Sequence, residues 1–171
     1  MSRKYSGYLL VLMILGAVIY LYLHFRTAPD VTFASLPLSD LKGQPAQLPR
    51  NGKPVVVMFG ASWCGPCRKE LDVMSRIGER YMHDVNLVFI TDEDLPTAEG
   101  LQGLTASFIR VLKLNKPFSE LGIYSIPTSY LLNAKGELQD KHTGYIQWDD
   151  PSARAHQRRL MGLPDEAPDS L

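Results

Sequence analysis

Cys64 and Cys67 are the only two cysteines among the 171 residues, and they stand three positions apart. Residues at that spacing share one face of a helix. If the segment opens a helix, both sulfurs lie on the same side of its first turn, which suits a reversible disulfide. The unpaired N–H groups and positive dipole end of a helix start also favour the thiolate, the nucleophile of disulfide exchange. A bridge closing so short a loop removes little chain entropy, which argues against a purely structural staple. A CxxC pair is also half of many zinc sites. Here no second half is visible, because His24, His83, His142 and His156 are scattered without paired spacing. Redox chemistry is the expected use of the pair.

Such a pair needs a rigid support, and the flanking sequence supplies one. Val55–Phe59 is a short, β-branched apolar run, as expected for a strand covered on both faces. Gly60 and Ala61 end it, and Leu71, Met74 and Ile77 then take helical spacing, giving a helix over about Cys64–Met82. Pro66 is tolerated in the first turn, where N–H groups have no intrahelical partner. Val85–Thr91 reads as a second buried strand, joined to the first by a right-handed crossover. A polar loop (Asp92, Glu93, Asp94, Pro96, Thr97) follows. Thr97–Lys113 is expected to be helical, weakened by Gly100 and Gly103, and Pro117–Ile123 to be one helical turn. Ser129–Leu132 and Glu137–Gly144 read as a hairpin around Asn133–Gly136. Trp148–Met161 reads as a C-terminal helix opened by Asp149, Asp150 and Pro151, with Arg154, His156, Arg158 and Arg159 on a solvated face. Phe33–Leu48 is expected to form a hairpin bent at Lys42–Pro45.

Eighteen basic and eighteen acidic residues cancel, so the charge balance points away from nucleic acid. A 45% hydrophobic content is enough for one anchored domain with a real core. Gly7–Leu23 is an uncharged apolar stretch with Arg3 and Lys4 before it and His24 and Arg26 after it. Tyr8, Tyr20 and Tyr22 fit interfacial anchors. The run ends in Leu23-His24-Phe25-Arg26 rather than in small residues, so an uncleaved signal anchor is expected instead of a cleaved signal peptide. The flanking charges place the N-terminus inside and the domain outside the cytoplasm. The expected division is 1–26 as stub and transmembrane anchor, 27–35 as tether, 36–163 as the folded domain and 164–171 as a frayed tail.

Trp63-Cys64-Gly65-Pro66-Cys67, set after that strand, resembles the WCGPC active site of thioredoxin. The lead-in Asp40-Leu41-Lys42-Gly43, then Gly52-Lys53-Pro54 and the strand, with Arg68-Lys69-Glu70 after the motif, resembles the membrane-anchored TlpA/ResA type. The resemblance implies a thioredoxin fold, a central mixed α/β sheet flanked by helices, with an extra N-terminal β-hairpin. It implies a disulfide reductase in which Cys64 attacks and Cys67 resolves, with no cofactor and no metal. It also implies that Pro127 is cis against the motif, that the backbone of Ile126 binds an extended substrate, and that Trp63 shields the thiols.

Where thioredoxins keep a buried acid, this chain has Met58; Glu70 lies three residues after Cys67 and either takes that role or is a solvated surface acid. Expected partners are protein disulfide substrates and a membrane reductant-conducting protein as electron donor. The expected protein is a monomer in a bacterial inner membrane with its domain in the periplasm, serving cytochrome c maturation. A thiol oxidase of the same fold is the nearest rival, disfavoured by Gly65-Pro66. A copper-binding chaperone is a more distant one, lacking a visible third ligand.

Overall fold

A strand without a polar side chain on either face must be covered on both sides. In the computed structural model, which describes residues 3–164, Val55–Phe59 is such a strand and all five residues are buried. The strands are β1 (Leu38–Ser39), β2 (Pro45–Ala46), β3 (Val55–Phe59), β4 (Asn86–Thr91), β5 (Ile109–Leu114), β6 (Thr128–Leu132) and β7 (Leu138–Thr143). The helices are α1 (Arg3–Arg26), α2 (Gly65–Tyr81), α3 (Leu95–Leu104) and α4 (Pro151–Leu160). All seven strands form one mixed sheet in the order β2-β1-β5-β4-β3-β6-β7. β3, β4 and β5 run parallel, while β6 pairs antiparallel with β3, β7 with β6, and β1 with both β5 and β2.

The two faces of β3 are covered differently. Val56 and Met58 join Cys67, Leu71 and Met74 of α2, Ala98 and Leu101 of α3, and Trp148 and Met161 near α4. Val55, Val57 and Phe59 face the other way, into a cluster with Tyr130, Phe118 and Ile123, against which Val31, Phe33 and Leu36 pack. The segment expected as a tether therefore lies on the sheet. Tyr130 donates its hydroxyl hydrogen to the carbonyl of Pro29 at 2.9 Å, Phe33 meets the Tyr130 ring edge-on at 5.2 Å, and Lys141 pairs with Asp30 at 2.8 Å.

Three expectations change. Thr97–Lys113 is not one helix: α3 ends at Leu104, and Ile109–Leu114 is β5, parallel to β4. Leu104, Phe108, Val111 and Leu112 fit a helical period, but Ile109, Val111 and Leu114 with exposed Arg110 also fit a strand between two neighbours. Gln102 caps the change, donating to Ile109 O and accepting from Val111 N, each at 2.9 Å. Second, the last helix starts at Pro151, capped by Asp150, which accepts from Ala153 N at 2.8 Å, so Trp148 precedes it. Third, its arginines do not share one solvated face. Arg154 and Arg158 are buried, whereas His156 and Arg159 are exposed. Long aliphatic stems and forked donors let arginine bury where carbonyls and a carboxylate await it.

The N-terminal hairpin is present but short, two residues per strand, with Asp40 Oδ1 accepting from the backbone N–H groups of Lys42 and Gln44 at 2.9 Å. Phe118–Leu121 forms the expected single turn, of 3-10 type. The side chains of α1 are described from Gly7 to Tyr22, and all are exposed; among the described residues no helix is long and apolar enough to cross a membrane. The expected tail lies outside the described residues beyond Pro164.

Arg158 forks onto Asp84 at 2.7 and 2.8 Å and donates to the Tyr81 carbonyl at 2.9 Å, tying α4 to the end of α2. Its hydrogen bond holds the Asp84 carboxyl below the usual aspartate range. A carboxyl with a lowered folded pKa stabilises the fold above its unfolded pKa and loses that contribution as pH falls. Arg158→Met is expected to cost about 2–3 kcal/mol at neutral pH in urea unfolding, because it strands the partners of a largely buried cation, and to cost less at acid pH.

Candidate active site

β3 delivers the chain to the redox pair through Gly60, whose N–H donates to Ile90 O at 3.0 Å. A Cβ there would lie 2.7 Å from the Phe89 ring and 3.1 Å from Cys67 Sγ, so any larger residue has to displace the ring. Two residues on, Ser62 is clamped by Glu93, just past the C-terminal end of β4. Its Oε2 accepts from Ser62 N and its Oε1 from Ser62 Oγ, both at 2.6 Å, and Thr91 Oγ1 donates to Oε2 at 3.1 Å. Sequence reading placed Glu93 only in a polar loop; a carboxylate just past a parallel strand, level with a neighbouring turn, was the available signal.

Cys64 is the N-cap of α2, and Cys67 N–H donates to Cys64 Sγ at 3.2 Å. The two sulfurs are bridged and both residues are buried. Cys64 Sγ lies 3.8 Å from the carbonyl oxygen of Ile126, and the Ile126–Pro127 peptide is cis. Neighbouring bonds hold that loop: Thr128 Oγ1 donates to Ser125 O at 2.6 Å, and Gly144 N–H to Pro127 O at 2.8 Å. The structure thus brings Cys64, Cys67, Ile126 and Pro127 together at one end of the sheet. Trp63, expected as a shield, is 74% exposed. It stands between half-buried Ser62 and buried Cys64, with most of its surface in solvent.

Glu70 has no exposed surface, so it is not a solvated surface acid. Burial pushes its pKa up from 4.5 to about 8, and hydrogen bonds from the Trp148 indole and the Ile146 backbone oppose the rise. Trp148 Nε1 donates to Glu70 Oε1 at 2.7 Å, while Oε2 has no hydrogen-bond partner. Met58 lies buried behind, in the same cluster as both cysteines. Beside Glu70, Lys69 Nζ sits 4.7 Å from the Tyr145 ring centroid. Sequence reading had Trp148 in the last helix and so missed its partner. Among the described residues no group of three or more His, Cys, Asp or Glu gathers to hold a metal ion.

A model of the thioredoxin-like domain matches residues 41–157, more than half of the chain. The chain belongs to the thioredoxin-like family. Sporulation thiol-disulfide oxidoreductase A of Bacillus subtilis is 32% identical over 117 residues, covering 63% of this chain and 69% of that protein. Thiol-disulfide oxidoreductase ResA of Geobacillus thermodenitrificans is 27% identical over 150 residues, covering 83% of this chain and 86% of that protein. Among solved structures, StoA of Bacillus subtilis superposes with a TM-score of 0.52 at 25% identity, covering 77% of this chain and 96% of that one. A thioredoxin-like protein of Porphyromonas gingivalis reaches a TM-score of 0.62 at 23% identity, over 77% of this chain and 95% of that one, a likeness of fold. With the bridged pair at the start of α2, this thioredoxin-like chain is a thiol–disulfide oxidoreductase.

The buried carboxyl also predicts how stability depends on pH. Unfolded, Glu70 releases its proton near 4.5; folded, it keeps it to about 8. Between those values the folded state binds more protons, so this group's contribution to stability falls as pH rises. Glu70→Gln is expected to flatten that decline in the oxidised protein, measured by urea unfolding from pH 5 to about pH 9.

Proposed function

We propose that this oxidoreductase works as a membrane-anchored disulfide reductase, with its domain in a bacterial periplasm. The observation that carries the reading is the Cys64–Cys67 bridge at the N-terminus of α2, beside the backbone of Ile126 and one helical turn before a buried acid. In the dithiol state, Cys64 is the thiolate, favoured by the helix terminus. It attacks one sulfur of a client disulfide; a Cys64–client bond forms, the client S–S bond breaks, and the second client sulfur leaves as thiolate. Cys67 passes its proton to the Glu70 carboxylate, and the resulting thiolate attacks Cys64 Sγ. The internal bridge forms and the client is released as its second thiolate, two electrons having moved from enzyme to client. A pKa near 8 suits Glu70 to this task, since a base works best near the operating pH.

The extended client segment pairs with the backbone at Ile126, next to Pro127. Exposed Trp63 then belongs to the surface a client meets rather than to a shield. A membrane reductant-conducting protein returns the enzyme to the dithiol state, and cytochrome c-type thiols are the clients implied by the TlpA/ResA resemblance. The uncharged Gly7–Leu23 run and the exposure of its described side chains support the anchor.

The Gly65-Pro66 dipeptide predicts a potential nearer that of thioredoxin, about −270 mV, than that of a strong oxidant, about −120 mV. Titration against a glutathione or dithiothreitol couple measures it, and a value above about −150 mV would reverse the direction assigned. Topology has its own check. A reporter that is active only outside the cytoplasm is expected to work when fused after Leu171, with the protein recovered in the membrane fraction at full length. A soluble product starting near Thr27 would replace the anchor by a cleaved signal.

A further inference from the structure

A carboxyl group that must first lose and then accept a proton in a dry site needs something to stabilise its charged form. Glu70 sits among apolar residues on the Met58 face of the sheet, and burial alone favours its neutral form. One side chain donates to it. Trp148 is fully buried, and its Nε1–H reaches Glu70 Oε1 at 2.7 Å. Indole is a donor only, so this bond favours the carboxylate and cannot accept from the acid.

Trp148 is itself held from behind. Arg154 NH1 donates to the Trp148 carbonyl at 2.7 Å, and the same guanidinium stacks 4.1 Å from the Tyr81 ring centroid, at the end of α2. The indole therefore belongs to a brace that starts and ends on the active-site helix: Tyr81, Arg154, Trp148, Glu70. Its N–H occupies Oε1 and leaves Oε2, which is buried and without a hydrogen-bond partner, as the oxygen to take a proton.

We propose that Trp148 is a positioning residue for the redox pair: its indole N–H fixes the Glu70 carboxyl in one orientation, with Oε2 open, and favours the ionised form that accepts the Cys67 proton. This rests on Glu70 serving as the base in resolution. In this role Trp148 acts on the pair only through the carboxyl it holds. The other charged and titratable groups near Glu70 are Lys69 and Tyr145 at its outer edge, Arg76 by Tyr145, Arg154 behind the indole, and Cys67 once reduced.

The test uses the full chain in detergent and two independent readouts. Infrared titration follows the Glu70 carboxyl band, identified by its loss in Glu70→Gln. In Trp148→Phe, which keeps an aromatic filler but no donor, the midpoint is expected to rise by about one pH unit or more. A midpoint that stays put in the folded variant overturns the proposal. Rapid quench then follows the lifetime of the mixed disulfide at neutral pH. Trp148→Phe is expected to lengthen it about tenfold, and to add nothing further in a Glu70→Gln background. An equal further slowing in that background means Trp148 acts by another route and also overturns the proposal. If Glu70→Gln resolves like wild type while Trp148→Phe still moves the carboxyl midpoint, the base role fails and the positioning of Glu70 by Trp148 stands. A third measurement leaves Trp148 intact, against the chance that Trp148→Phe does not fold. The chain has two tryptophans, so in Trp63→Phe the emission comes from Trp148. It is expected to change at the Glu70 midpoint and to lose that change with Glu70→Gln; emission blind to the carboxyl overturns the proposal.

Discussion

Everything around the redox pair depends on one strand having to be dry on both faces. β3 carries no polar side chain to offer water, so it is buried among neighbours on both edges and cover on both sides. That enclosure fixes where the strand ends, and Gly60 turns the chain out of it against the Phe89 ring and Cys67 Sγ. The first turn of α2 is then held from three directions: β3 behind it, Glu93 clamping Ser62, and the Ile126–Pro127 loop in front. A nucleophile whose reactivity depends on helix N–H groups needs that constancy, because the benefit fades within a turn of the terminus.

The same dryness gives Glu70 its character. Were this acid on the solvated side of α2, it would titrate like any surface glutamate. It lies instead on the covered face, where desolvation outweighs the two hydrogen bonds that oppose it. Met58 contributes by being apolar: the strand position opposite the helix adds bulk and no charge. The buried acid here stands on the helix, and its donor, Trp148, comes from 78 residues further along the chain.

How much of this was readable depended on how local the signal was. β3, α2, β4 and the β6–β7 hairpin were legible because their periods are unambiguous and their breaks are Gly, Pro and Asn. β5 was not, because Leu104, Phe108, Val111 and Leu112 satisfy a helical period as well as a strand pattern. Only the gap between β4 and β1 decides between them. At the site, the cysteines, Ile126 and Pro127 followed from a motif and its context. Glu93, Trp148 and the burial of Arg154 and Arg158 come from long-range pairings, such as 78 residues between Trp148 and Glu70, which no local window contains. The exposure of Trp63 turns on the direction of a single turn residue.

The packing of Ala28–Leu36 has a mechanical meaning. A load applied at the end of α1 enters the domain almost at once, through Pro29 to the Tyr130 hydroxyl and through Asp30 to Lys141. Tyr130 lies on β6, two residues after the strand start that follows Pro127, and Lys141 lies opposite it on β7. The chain leaving α1 is thus tied at two points to the β6–β7 hairpin that follows the Ile126–Pro127 loop, rather than left slack.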